Sequence, residues 1–353
     1  ITGINGRSIR QWNDTFFHHL FSDGFSLSGK FQSLSNTGGF GGMYRRLYGN
    51  AADFTVRFRD SAGELREMRL PAYRRNTPGK DTLAKGVAPH EVLAQRKKMD
   101  PLRHLTIDTA GETAILTLNT FAQGNSLRGF FRKSFRLIRE NKIAHLVIDV
   151  RGNGGGDAGL AILLARYLAN KPFRVADSLY ALRVSGKYNR YIDHHLLYRT
   201  GIRLVTRKGE DGYRHFRYFE RHVFSPRKKN TFRGDIYLVI GGNSFSATTV
   251  FVKMLQGEKN VTVVGEESGG GSYGNSAWML PQVTLPHTGI RLTLPLFRMV
   301  MDKEAARYGR GILPDVPAGA TPESIRKNED PKMRAVYSLI LHRKKGDTRE
   351  SAY

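Results

Sequence analysis

Asp235-Ile-Tyr-Leu-Val-Ile-Gly-Gly-Asn-Ser-Phe-Ser246-Ala-Thr-Thr-Val-Phe-Val252 is the stretch whose reading decides the fold. An apolar run ends at Gly241 and Gly242, and a helix-like segment begins near Ser246. The pattern is that of a buried strand, a tight turn and a helix. A serine at this place has its hydroxyl beside free backbone N–H groups and the positive end of the helix dipole. That setting suits a nucleophile whose transition state carries an oxyanion. Serine is also among the best N-cap residues, so this segment alone supports either role.

A second segment bears on the choice. Ala144-His-Leu-Val-Ile-Asp-Val-Arg-Gly-Asn-Gly-Gly-Gly156-Asp157 reads as a buried parallel strand over 146–150 that runs into a glycine-rich loop. The helix predicted from Ala158 is apolar all round, as expected when it packs on a sheet. Gly154, Gly155 and Gly156 let the backbone approach a ligand closely and aim successive N–H groups into one space. A phosphate loop would end in Gly-Lys-Ser/Thr, and a dinucleotide fingerprint would space its glycines as Gly-x-Gly-x-x-Gly; neither is present. An oxyanion hole is the better chemical match.

Together the two segments resemble the carboxy-terminal processing peptidases and their tricorn-type relatives, serine peptidases of the ClpP/crotonase-like fold. Val263-Val-Gly-Glu-Glu-Ser-Gly-Gly-Gly271 looks like the strand and loop that follow the family's nucleophile helix. Gly309-Arg-Gly-Ile-Leu-Pro-Asp315 looks like its closing turn, and the segment from Thr113 to Phe121 like its opening strand. The likeness covers about residues 105–316. It implies an α/β fold with a spiral core of ββα units. By position, Ser246 matches the nucleophile. The N–H of Ala247 and one from the loop of Gly155 and Gly156, with Gly156 first, match the oxyanion donors. The implied activity is hydrolysis of peptide bonds in proteins or peptides, needing no metal or cofactor. Asp149 and Arg151 would brace the loop, and Asp315 would fix the closing turn.

One departure concerns the general base. The processing peptidases carry a lysine in a Gly-Lys-Gly turn, and Gly271 stands at the matching position, with no lysine between Lys259 and Lys303. Lys253 is two helical turns past Ser246, roughly 10 Å along the axis, beyond the reach of a base. Glu266 and Glu267 fall in the right loop. His104, His145 and His287 are further candidates, with Glu266 and His104 the two kept as base or supporting residues. In the tricorn-type branch a histidine ahead of the PDZ domain activates the serine, and a glutamate precedes the closing turn, where Glu304 is the nearest match. The missing lysine keeps a second reading open: a catalytically weak or inactive peptidase-fold protein that binds peptides.

The chain opens Ile1-Thr-Gly-Ile-Asn-Gly-Arg-Ser-Ile9, which looks like the middle of a PDZ domain, and an alternating hairpin is predicted over 53–70. The expected organisation is a PDZ-like domain over 1–75 lacking its N-terminal part, a linker over 76–101 with a short helix at 90–98, a peptidase core over 102–345 and a frayed tail over 346–353. The tricorn-type histidine would then lie upstream of Ile1. Thr321, followed by Pro322, predicts a capped helix, and a second helix is read over 331–341.

The chain has 353 residues, 40% of them hydrophobic, enough for two domains and a sizeable core. Cys is absent, which removes disulfides, Cys-based metal sites and a thiol nucleophile. No run reaches the eighteen or so apolar residues of a membrane span. The formal charge is +25, a balance that favours contact with polyanions. Basic residues are densest over 203–233, where they alternate with aromatics. No nucleic-acid module signature accompanies them, so the reading is a solvated basic face that can meet an anionic cell-envelope surface. A periplasmic, secreted or envelope-associated location is expected.

Overall fold

The computed structural model describes residues 1–36, 38–72, 100–181, 189–304 and 309–350. It divides into two units, one of Ile1–Ser22 with Lys30–Met99 and one of Asp23–Gly29 with Asp100–Tyr353. The short helix expected at 90–98, and most of the linker, fall outside the described residues.

In the first unit, β1 (Gly3–Ile4) and β2 (Arg7–Ser8) are joined by Asn5 and Gly6, both at positive φ (48° and 76°). Those angles are what a type I′ hairpin turn requires, and Asn-Gly is its preferred pair. Ser8 caps the helix Ile9–Phe17 in a capping box with Gln11. The hairpin read over 53–70 forms as β3 (Asp53–Arg59) and β4 (Leu65–Pro71), with Asp53 opposite Pro71 and Arg59 opposite Leu65. The sheet order is β2-β1-β3-β4. Ile4, Trp12, Phe16 and Met43 form its small core, and the buried Trp12 indole donates to the Ile4 carbonyl at 2.8 Å.

The strands of the second unit are, in chain order, β5 (Arg103–Asp108), β6 (Thr113–Leu118), β7 (His145–Asp149), β8 (Ser178–Ala181), β9 (Arg207–Lys208), β10 (Arg214–His215), β11 (Asp235–Ile240), β12 (Val261–Gly265), β13 (Gly274–Asn275), β14 (Gln282–Thr284), β15 (Arg291–Thr293), β16 (Arg298–Val300) and β17 (Val316–Pro317). The main sheet has the order β17-β12-β11-β7-β6-β5. Its neighbours run parallel except for β5, which is antiparallel to β6. Parallel strands are covered on both faces and therefore read as unbroken apolar runs. One face packs on helices Leu127–Glu140, Ala158–Leu168 and Ala247–Leu255, where Phe131, Phe135, Leu164 and Phe251 meet Leu116, Leu146, Leu238 and Val263. The other face packs on helix Pro331–Glu350 through Val336 and Ile340, against Val147, Tyr237, Val239 and Val264. This is an α/β fold, as expected.

Three boundaries differ from the sequence reading. The last helix runs on to Glu350 rather than stopping near Leu341, anchored by Arg343 on Asp235 at 2.7 Å. The basic stretch 203–233 is more than a solvated face. Arg203, Arg207, Lys208, Lys228 and Lys229 are exposed, but Thr206, Phe224 and Phe232 are buried. Residues of the stretch contribute β9 and β10 to a second sheet, β13-β16-β8-β10-β9, and Phe224 joins a core with Leu179, Phe297 and Met299. Finally, Asp23–Gly29, assigned by sequence to the first domain, belongs to the second unit. The side chains of Ser26 and Ser28 bond to the carbonyls of Ser268 and Glu267 there.

Candidate active site

β11 ends at Ile240, and the chain turns sharply through Gly241 and Gly242 into the helix Ala247–Leu255. Ser246 stands at the N-cap position of that helix with φ 54° and ψ −121°. A non-glycine residue in that region costs about 1–3 kcal/mol and persists only where its surroundings impose it. An N-cap serine would have extended backbone and bond its hydroxyl to the first-turn N–H groups. Ser246 does neither: it makes no side-chain capping bond. The choice left open by the sequence is thus decided against the capping role. A strained strand–turn–helix elbow that presents a half-buried hydroxyl at the carboxyl end of a parallel strand is the local geometry of a serine hydrolase nucleophile.

The glycine loop after β7 lies against this elbow. A Cβ added to Gly155 would fall 2.8 Å from Ser246 Cβ and 3.1 Å from the Ala247 nitrogen. Gly155 and Gly156 have φ of 107° and 139°, angles that side-chain-bearing residues rarely adopt. A Cβ on Gly156 would collide with the Phe121 backbone. Among the expected donors one correction is needed. The Gly155 N–H is already bonded to Asn153 Oδ1 at 2.9 Å, so Gly155 supplies closeness and not a hydrogen bond. Among the described residues, the N–H groups of Gly156 and Ala247 have no acceptor within the protein.

Two buried polar residues that the sequence reading passed over join the loops. Asn153 receives the Phe245 N–H on its carbonyl (3.2 Å), while its side-chain amide donates to Leu118 O (3.0 Å). Ser244 Oγ donates to Val150 O at 2.9 Å and accepts the Gly241 N–H at 3.2 Å. Both residues are fully buried, where leaving either side chain unpaired would cost about 1–3 kcal/mol. Their signal in the sequence was position alone: each sits one or two residues from a residue singled out for chemistry.

The residues proposed as bases go elsewhere. Glu266 pairs with the buried Lys332 Nζ on the last helix, on the sheet face opposite the Ser246 helix. On β5, Leu105 and Ile107 pack toward the Ser246 helix side, so strand alternation turns His104 to the other face. His104 is also in register with Val239 across three strand spacings, about 14 Å. Neither Glu266 nor His104 is therefore brought to Ser246. Lys253 is paired with Asp302 at 2.9 Å. Glu304 is exposed and sits 3.9 Å from Lys303. His287 is an exposed residue of the β14–β15 connection. His145 begins β7, at the opposite end of the sheet, 3.4 Å from Asp235; burial lowers its pKa against the pull of Asp235.

The bracing residues fall as read. Arg151 bonds Asp149 at 3.0 Å and Asp330 at 2.6 Å. Asp315 accepts the Val263 N–H at 2.8 Å and ties the closing turn to β12. Glu267 takes two bonds from Arg310 (2.9 and 2.7 Å) and one from the Gly311 N–H. The Arg310 bonds hold its carboxyl below the usual range. Gly271, at the place of the resembling peptidases' lysine, donates its N–H to Asp23 Oδ2 at 3.0 Å.

The α/β fold and this elbow fit a serine-type hydrolase. The model of peptidase family S41 matches residues 112–318, and the chain belongs to that family, a family of serine-type peptidases. Among solved structures, mature CPAF complexed with lactacystin is similar over 96% of this chain and 76% of its own, at 15% identity and a TM-score of 0.59. A protein of Parabacteroides merdae ATCC 43184 is similar over 69% of this chain and 66% of its own, at 20% identity and a TM-score of 0.49. The photosystem II D1 C-terminal processing protease follows at 15% identity, over 76% and 55%, with a TM-score of 0.40. The chain thus spans about two thirds to three quarters of the first two structures. No curated protein matches it. Among the described residues, no helix is long and apolar enough to cross a membrane.

Proposed function

We propose that this peptidase cleaves peptide bonds through an acyl-enzyme on Ser246. Ser246 Oγ attacks the scissile carbonyl carbon, and the carbonyl oxygen becomes an oxyanion held by the N–H groups of Gly156 and Ala247. The C–N bond then breaks, and the amine leaves with the proton given up by the serine. Water hydrolyses the resulting ester, releasing the carboxylic acid and restoring the hydroxyl. The carrying observation is the conformation of Ser246: a strained N-cap residue whose hydroxyl does not cap. Strain of this kind is retained where the reaction needs the hydroxyl free. Two preorganised donors at the oxyanion are worth about 10²–10³ in rate apiece.

The test is covalent labelling by a fluorophosphonate probe, with Ser246→Ala as the control. Labelling that disappears in the variant supports the acyl-enzyme. The specific rival, a peptide-binding protein with no turnover, is favoured by the positions of Glu266 and His104 on the far face and by glycine at 271. It predicts no labelling in folded protein, with peptide binding that survives Ser246→Ala.

The exposed Arg203, Arg207, Lys208, Lys228 and Lys229 suit an anionic cell-envelope surface, which favours a role outside the cytoplasm. The aromatics of the same stretch are engaged with one another. Phe216 and Phe219 pack on Trp278, and Tyr213 stacks on Tyr180, so they do not form a platform for bases. Retention on anionic vesicles that falls with added salt is the expected behaviour.

A further inference from the structure

The loop over 268–271 is the third wall of the elbow. A Cβ on Gly270 would lie 3.0 Å from Phe245 Cα and 3.2 Å from the Ser246 nitrogen. The Gly270 N–H donates to Ser244 O at 3.0 Å. Three consecutive glycines, Gly269, Gly270 and Gly271, have no side chains with which to hold that position and lose the most backbone freedom on being fixed. Their place must be imposed by bonds from elsewhere.

The closing turn supplies some of them: the Ser268 N–H donates to Ile312 O at 3.0 Å, and Gly271 is bridged to Gly311. Residues of Asp23–Gly29 supply the others. Asp23 Oδ2 accepts the Gly271 N–H at 3.0 Å. Ser26 Oγ donates to Ser268 O at 3.1 Å, and Ser28 Oγ donates to Glu267 O at 2.7 Å. The Phe25 N–H donates to Gly309 O at 2.7 Å, which ties the same segment to the closing turn. A Cβ on Gly29 would meet Gly242 O at 2.8 Å and the Phe245 ring at 3.3 Å, so the segment also touches the elbow. Asp23 makes the one charge-assisted bond of this set, a class roughly twice as strong as neutral bonds. It grips the glycine next to the one that backs Ser246.

We propose that Asp23–Gly29 is a strap of the active site and that Asp23 is a positioning residue, setting the 268–271 loop so that Ser246 keeps its reactive conformation. The inference rests on the acyl-enzyme reading of Ser246. A displacement of about 1 Å at a reacting group costs up to about a hundredfold, and the loss is expected on kcat because the Asp23 bond acts through the placement of the reacting hydroxyl.

The experiment compares wild type, Asp23→Ala and Asp23→Asn in the full chain. It measures fluorophosphonate labelling rate, peptide turnover and amide hydrogen exchange at Gly270 and Gly271. For Asp23→Ala the expected result is labelling and kcat lower by about ten- to a hundredfold, with KM within about threefold and faster exchange at both glycines. Asp23→Asn keeps an acceptor oxygen and recovers most of both rates. The proposal is overturned if Asp23→Ala labels at the wild-type rate, or if exchange at Gly271 is unchanged. It is equally overturned if Asp23→Asn is as impaired as Asp23→Ala. Absence of labelling in wild type would sink the Ser246 reading instead. The exchange measurement would then still decide whether Asp23 fixes the loop.

Discussion

Two corners of the second unit invite comparison. At Asp211, His215 and Glu220 the structure sets an imidazole between two carboxylates, with Nδ1 2.7 Å from Glu220 and Nε2 2.9 Å from Asp211. By inventory that corner looks catalytic, yet both ring nitrogens are engaged and no nucleophile is bonded to either. Glu220 meanwhile holds the Leu179 N–H at 2.7 Å. At Ser246 the inventory is poor, with neither imidazole nor lysine beside the hydroxyl among the residues read from sequence as bases. The backbone, however, is arranged for chemistry: a strained serine, a facing glycine loop and two N–H groups without acceptors among the described residues. A reactive site is defined by what its geometry leaves free. At the His215 corner both ring nitrogens are taken up by carboxylates, and the cluster holds Ser178–Ala181, Arg214–His215 and Arg217–Arg221 together.

The sharpest way to break that contrast is Ser246→Ala, which should lower peptide turnover at least about a thousandfold. His215→Gln should leave turnover per folded molecule within about twofold. If the two effects are reversed in a steady-state assay, the assignment of the two corners is wrong. Next in size is Gly156→Val. A side chain there collides with the Phe121 backbone and disturbs one oxyanion donor, so kcat should fall by about a hundredfold or more. Probe-labelling kinetics would show the same loss.

Glu266→Gln sharpens the comparison from another side. It leaves Lys332 buried without its charge partner and should cost about 2 kcal/mol in a denaturant melt, below the range for fully buried pairs because Glu266 is partly exposed. Labelling of the folded fraction should persist. Its loss would make Glu266 the base after all. The smallest effect concerns pH. Burial lowers the pKa of His215, but the bonds to Glu220 and Asp211 outweigh it and raise the pKa above 6.5. A raised folded value stabilises fully below the unfolded pKa and is lost as pH rises through the folded one. The melting temperature should therefore decline with rising pH from about 6.5 upward, and the His215→Gln variant should lack that slope.

The fold was legible because parallel strands and their helices are written in apolar runs. The segments at 146–150 and 235–240, with the glycine loops that follow, carried the architecture and the proposed nucleophile in local pattern. What could not be read was anything set by a neighbour distant in sequence. Asn153 and Ser244 look like ordinary loop residues until the fold buries them. Glu266 stands in the right loop but beside a lysine 66 positions away. His104 is turned from the elbow by strand alternation, which its own sequence showed, and by sheet order, which it did not. Gly155 and Gly156 are neighbours of one kind, and only the bond to Asn153 separates the spacer from the donor.

The interlacing of the strap has a consequence for how this protein can be divided. Asp23–Gly29 is flanked in sequence on both sides by residues of the first unit, yet its bonds lie in the second. The peptidase portion is therefore not a contiguous stretch of chain, and no single cut can release it whole. A fragment starting at Asp100 would keep Ser246 and both oxyanion donors but lose the acceptor for the Gly271 N–H. Shuffling of the first unit among relatives, whether by recombination or at the bench, must carry those seven residues along or supply others that grip the same glycines.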